Sequence, residues 1–147
     1  MKAITALLFY AALASPVFAQ EAEAPLELKV NNAAEVTLDQ FLWTNRAIVV
    51  FADSSLDPRF QEQIELLEAD LEELLIRDII IIVDTNPAVL SESRTKLRPR
   101  GFMLVLVGKD GQVKLRKPAP WDVREITHAI DKWPIRQKEI RDEQGKS

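Results

Sequence analysis

Two short runs of uninterrupted apolar residues, "AIVVF" from Ala47 to Phe51 and "IIIIV" from Ile79 to Val83, constrain this chain more than any other feature. A strand with one wet face alternates apolar and polar side chains. Runs without alternation, rich in β-branched residues, belong to strands covered on both faces, as in the interior of a parallel sheet. Between the runs, Phe60, Ile64, Leu67, Leu71 and Leu74 recur at spacings of four and three, and Glu62, Glu65, Glu68, Asp70, Glu72 and Glu73 fill other positions. That is the period of one long amphipathic helix with an acidic, solvated face. Asp57 suits its cap, and Pro58 suits its first position, where an amide proton would have no helical partner. Strand, helix and strand predict a right-handed crossover that leaves the two strands as parallel neighbours near the centre of a sheet.

The second half of the chain reads differently. "FMLVLV" (Phe102 to Val107) meets "GKDG" and then "QVKLR", in which Val113 and Leu115 alternate with Lys114 and Arg116. Asp110 and Gly111 tolerate the positive φ angles of a tight turn, so an antiparallel hairpin is expected, its second arm an edge strand or wet on one face. A short helix is expected around Ser91 to Leu97, and a helical turn or loop in "VTLDQFLWTNR". Asp122 and Glu125 form a capping-box pair ahead of the apolar stripe Val123, Ile126, Ile130 and Trp133; Pro134 ends that helix or starts a second, short one.

The N-terminus "MKAITALLFYAALASPVFAQ" carries one early positive charge, an apolar run from Ile4 to Ala14 and small residues before Gln20. This is the pattern of a secretory signal peptide over residues 1–19, with an apolar run too short for the ~20 residues of a membrane span. An acidic linker over 20–36, one domain over 37–143 and a polar tail over 144–147 are expected to follow. The product would be exported, periplasmic or secreted, with no membrane anchor after cleavage. Loss of Lys2 would take the net charge from −4 to −5. Nothing in that balance suggests a nucleic-acid partner. The chain has no cysteine, which removes disulfides, thiolate metal sites and thiol catalysis from consideration. Its acidic stretch has no histidine beside it to suggest a metal site, and no Gly-rich phosphate loop is present, so no cofactor or metal is expected.

"FLWTNRAIVVFADSSLDPRFQEQ", "RDIIIIV", "KLRPRGFMLVLVGKDGQVKLRKPAP" and "IDKWPIRQKEI" together resemble a thioredoxin-like family of unknown function, found as short exported bacterial proteins and as a module of vertebrate sushi-repeat and related matrix proteins. The resemblance spans roughly Thr37 to Glu143. Trp43, Arg46, Asp53, Pro58, Arg59, Arg77, Asp78, Arg98, Lys109, Asp110, Gly111, Lys114, Asp131, Pro134, Arg136 and Glu139 match its pattern. It implies an α/β fold: a thioredoxin-like mixed sheet, made of a parallel β-α-β unit plus an antiparallel hairpin and flanked by helices. It implies no activity. Where thioredoxins keep their reactive thiol, this chain has "DSSLD"; where a cis-proline would be expected it has Phe102, preceded by "RPRG", whose Pro99 stands too early, so both hallmarks are missing.

That loop defines the candidate site: Asp53, Ser54, Ser55 and Arg59, faced by Arg98 and Arg100 from the loop before "FMLVLV". A helix start with arginines beside it can hold a carboxylate, sulfate or phosphate. Alternatively Asp53 or Asp57 pairs with Arg98 or Arg59 and closes the loop. No catalytic residue is assigned. Ser54 and Ser55 would need a base, and the single histidine, His128, lies off the apolar stripe of its helix. The function expected from sequence is a non-catalytic binding module for an unidentified protein or small anion. The alternative is a thiol-independent enzyme, or an anion-binding protein, working at the Asp53/Arg98 rim.

Overall fold

All six residues of the strand Arg46–Phe51 are buried, as are four of six in Ile79–Asp84. A computed structural model describes residues 23–146. Its strands are β1 (Val30–Asn32), β2 (Arg46–Phe51), β3 (Ile79–Asp84), β4 (Met103–Val107) and β5 (Val113–Lys117). Its α-helices are α1 (Pro58–Glu68), α2 (Leu71–Leu75), α3 (Glu92–Leu97), α4 (Val123–Ile130) and α5 (Pro134–Gln144), with a 3-10 turn over Leu38–Phe41. The sheet order is β1-β3-β2-β4-β5.

β2 and β3 run parallel from Arg46↔Ile79 to Phe51↔Asp84, and β4 and β5 form an antiparallel hairpin, with β4 against β2. The sheet is thus the mixed α/β arrangement expected from sequence. Successive residues of a strand point to opposite faces, and here each face has its own core. Ile48, Val50, Ile81, Leu104 and Leu106 pack with Leu67, Leu74, Val123, Ile126 and Ile130 from α1, α2 and α4. Ala47, Val49, Phe51, Ile82, Val105 and Val107 pack on the other side with Leu38 of the 3-10 turn and Leu97 of α3. Two covered faces are why β2 and β3 show no alternation, whereas the edge strand β5 does.

Two elements depart from the sequence reading. The helix expected to run unbroken from Pro58 past Leu74 is two helices: Ala69 closes α1, and Asp70 adopts φ −152°, ψ 66° before α2 begins. Aspartate competes poorly inside a helix because its carboxylate favours cap and turn conformations. The break re-aims α2, whose Leu74 shares a core with α4. The other departure is β1, which lies within the stretch read as linker and adds a parallel edge strand to β3 through Val30↔Ile81. Its sequence, VNN, carries no apolar run that could announce it.

No helix of the described residues is long and apolar enough to cross a membrane. The expected signal peptide lies outside the described residues.

Candidate functional site

β2 and β3 end side by side, and their continuations leave to opposite faces: β2 into α1, β3 into α3. Such a switch point is where open α/β sheets form a crevice beyond their strand ends. The "DSSLD" loop follows β2 at this end of the sheet. Asp53, Ser54, Ser55 and Leu56 are exposed. Ser54 Oγ accepts from the Leu56 amide at 3.1 Å, and the Ser55 carbonyl accepts from the Gln61 side chain at 3.4 Å. Both serines therefore shape the turn.

Asp57 caps α1 by accepting from the Arg59 amide at 2.9 Å. The Arg59 side chain returns to the same carboxylate, with Nε donating to Oδ1 at 3.2 Å and Nη2 to Oδ2 at 2.9 Å. These bonds, the side-chain one first, hold the Asp57 carboxyl below its ordinary range. The anion at this helix start is the chain's own carboxylate. Arg59 also feels Asp53 electrostatically and lies 5.5 Å over the Phe102 ring, which ties the helix start to the loop before β4.

The structure does not bring Arg98 to the acids. Arg98 ends α3 in a left-handed conformation, φ 48° and ψ 58°. Neither its side chain nor that of Arg100 makes a hydrogen bond or ion pair among the described residues, and both are exposed. Of the pairings of Asp53 or Asp57 with Arg98 or Arg59, the one that forms is Asp57 with Arg59, and Arg98 has no part in it. No described peptide bond is cis. His128 is exposed, and among the described residues no group of three or more His, Asp or Glu could hold a metal ion.

What fills the crevice is a residue the sequence reading passed over. The Arg94 side chain is 10% exposed and its Nη2 donates to Asp84 Oδ1 at 2.8 Å and to the Ala52 carbonyl at 3.2 Å, bridging the ends of β2 and β3. Its guanidinium stacks 5.4 Å from the Phe51 ring. Ser91 Oγ donates to Asp84 Oδ2 at 2.6 Å while accepting from the Arg94 amide as the cap of α3. Burial pushes the Asp84 carboxyl up, but the bonds from Arg94, Ser91 and the Asn86 amide outweigh it and the net shift is downward. The ends of β2 and β3 are bridged by a cation already paired with Asp84. A cavity of about 130 Å³ beside it is lined by Asn32, Thr85, Asn86 and Ser91 among others. That is below the ~300 Å³ at which small-molecule sites begin.

The opposite end of the sheet gathers most of the charged positions that carried the resemblance. Arg46, buried at the start of β2, donates to the Arg77 carbonyl at 2.8 Å and to Glu139 at 3.0 Å. Lys109 reaches Asp78 and Glu139, each at 2.8 Å. Arg77 grips Asp131 with two bonds of 2.8 Å and Glu73 with one of 2.6 Å. Arg136 joins Glu139 at 3.2 Å. Arg77, Asp78, Asp131, Arg136 and Glu139, all positions that match the family pattern, thus belong to one charged network. Contacts such as Arg46 with Glu139, distant along the chain, leave no periodicity to find.

The family described as Domain of unknown function (DUF4174) matches residues 37–139. No curated protein matches the chain. Among solved structures, the reduced 2-Cys peroxiredoxin of Plasmodium vivax is similar at a TM-score of 0.55 and 16% identity, over 71% of this chain and 85% of that one. A chloroplastic thioredoxin z aligns at a TM-score of 0.54 and 19% identity, over 73% and 94%. Identities this low show the thioredoxin-like fold alone.

Proposed function

The chain belongs to the DUF4174 family of domains of unknown function, and from that premise we propose that it is an exported, non-catalytic binding module that engages a partner through the end of the sheet where thioredoxins keep their thiol. One observation carries this reading: that end presents apolar side chains around a rim without a deep cavity. Leu56 is 77% exposed after β2, and Leu90 is 79% exposed after β3, next to a half-exposed Val89. Apolar side chains raised at the ends of adjacent strands fit a surface that meets another macromolecule. Chemistry on a small substrate would need convergent acid and base groups in an enclosing pocket. Here Asp57, Arg59, Asp84 and Arg94 are engaged with one another. The N-terminal pattern of one early positive charge, an apolar run and small residues before Gln20 supports the exported part of the reading.

Photo-crosslinking residues placed at Leu56 and Leu90, and at Glu65 on the outer face of α1 as control, test the proposal in the cell envelope and medium fractions. The expected result is a saturable adduct from the first two positions, from a chain whose intact mass begins near Gln20. Equal labelling from all three positions, or a cytoplasmic chain still carrying Met1, would overturn it.

A further inference from the structure

β5 closes one side of the sheet: it pairs with β4 alone, and none of its five residues is buried. Its outer edge therefore holds backbone N–H and C=O groups with no partner strand among the described residues. The edge is also basic. Between Arg94 and Lys117 the chain has eight arginines and lysines and one acid, Asp110, although its net charge is −4. Four of the eight are matched by acids. The other four, Arg98, Arg100, Arg116 and Lys117, have no ion pair among the described residues.

These four gather at one end of the edge. Arg116 Nη1 donates to the Leu97 carbonyl at 2.6 Å, which sets its guanidinium against the residue that precedes Arg98. Lys117 pairs in register with Leu104, near the start of β4, and so lies toward the loop that carries Arg100. Arg98 carries a second signal. It holds a left-handed backbone at φ 48°, where glycine would rest without strain, yet its side chain makes no hydrogen bond or ion pair among the described residues. A strained position that keeps a long cation with no internal partner points to a use outside the chain.

The bare edge and the charge together select the occupant. Nucleic acids and lipid headgroups can neutralise arginines, but only an extended polypeptide can also continue the ladder of backbone hydrogen bonds. A second copy of β5 would set like charges opposite one another, which destabilises a strand pair; acidic side chains opposite basic ones stabilise it. We infer that the outer edge of β5 receives an extended, acidic segment of another protein as an added strand, its carboxylates meeting Arg98, Arg100 and Arg116. The inference rests on β5 and the loop before β4, not on Leu56 and Leu90, and stands whether or not the rim docks a partner.

Amide NMR and hydrogen exchange of the folded chain test this. The probe is an acetylated and amidated peptide of alternating glutamate and valine, set against its lysine–valine counterpart, an N-methylated form that keeps every charge, and single-stranded DNA, all at matched ionic strength. Saturable shifts of the amides from Val113 to Lys117, with slower exchange at alternate positions, are expected from the unmethylated acidic peptide alone. In the double variant Arg98→Gly, Arg100→Gln its apparent Kd should rise about tenfold, the worth of two exposed charged contacts, while the denaturant midpoint does not fall. Equal shifts from the N-methylated peptide or from DNA would make the edge a general polyanion surface and overturn strand addition. Shifts that never saturate, or a Kd unchanged in the double variant, would overturn it as well.

Discussion

Arg98 holds a backbone conformation that L-residues other than glycine and asparagine enter at a cost. It does so because α3 must end there: its amide donates to the Arg94 carbonyl at 2.9 Å, and the chain then turns toward β4. Its side chain offsets none of that strain, so Arg98→Gly should raise stability by about 0.5–1 kcal/mol, read as a higher denaturant midpoint at unchanged slope. A lower midpoint would mean that the guanidinium does structural service. Arg94 is the opposite case. Arg94→Ala leaves the Asp84 carboxylate buried without its cation and should cost about 3–5 kcal/mol, measurable by the same unfolding curves. At this scale the sequence was legible where both partners are neighbours: Asp57 with Pro58, and Asp122 with Glu125. It was silent on Arg94, whose bonds to Ala52 and Asp84 bring α3 onto the ends of two strands separated in sequence by a helical crossover.

Elements were legible in proportion to how much apolar surface they bury. β2, β3 and β4 announce themselves because both of their faces meet a core, and the same condition forces the crossover between them. β1 buries little and is held by backbone pairing to β3, a property that three polar-leaning residues do not display. α5 is a third kind of element. Arg136 is its one buried residue, and its attachment runs through charge: Glu139 to Arg46 and Lys109, Arg136 to Glu139 and, at 3.5 Å, to Asp131. Glu139→Ala removes the shared acceptor of three cations, one of them fully buried. The expected loss is about 3 kcal/mol, at the lower end for a broken buried pair because Arg46 keeps its bond to the Arg77 carbonyl. Amide hydrogen exchange should show α5 and the start of β2 losing protection while β3 and β4 keep theirs. Uniform loss across the sheet would instead make α5 part of the cooperative core.

Summed over the molecule, these pairs set how stability responds to pH. Asp131 sits below the ordinary carboxylate range because Arg77 donates to it, with Arg136 adding its charge. Glu139 is pushed up by burial, yet the bond from Lys109 and the charge of Arg46 bring its net shift downward; Asp84 behaves alike at the other end of the sheet. A carboxyl whose folded pKa lies below its unfolded value binds fewer protons when folded. Its contribution is then complete above the unfolded value, about 4, and is lost as pH falls through the folded one. Lys109 carries the opposite sign: burial pushes it down, but its bonds to Asp78 and Glu139 raise it overall. Its contribution is whole below an unfolded value of about 10.4 and disappears as pH rises through the folded pKa. Both ends of the sheet are fastened in this way, so the unfolding free energy should be level from about pH 5 to 9 and fall on either side. Asp131→Asn isolates one term. It keeps an acceptor for Arg77 but cannot ionise, so the variant should be less stable than the parent at pH 7, and the gap should narrow as the pH falls through the folded pKa of Asp131, where the parent's carboxyl takes up its proton. Denaturant unfolding of both proteins at half-unit pH steps measures the gap directly. A gap that stays constant from pH 7 to 2 would mean that the Arg77–Asp131 pair adds nothing through its charge, and that the network fastens α5 by shape and hydrogen bonding alone.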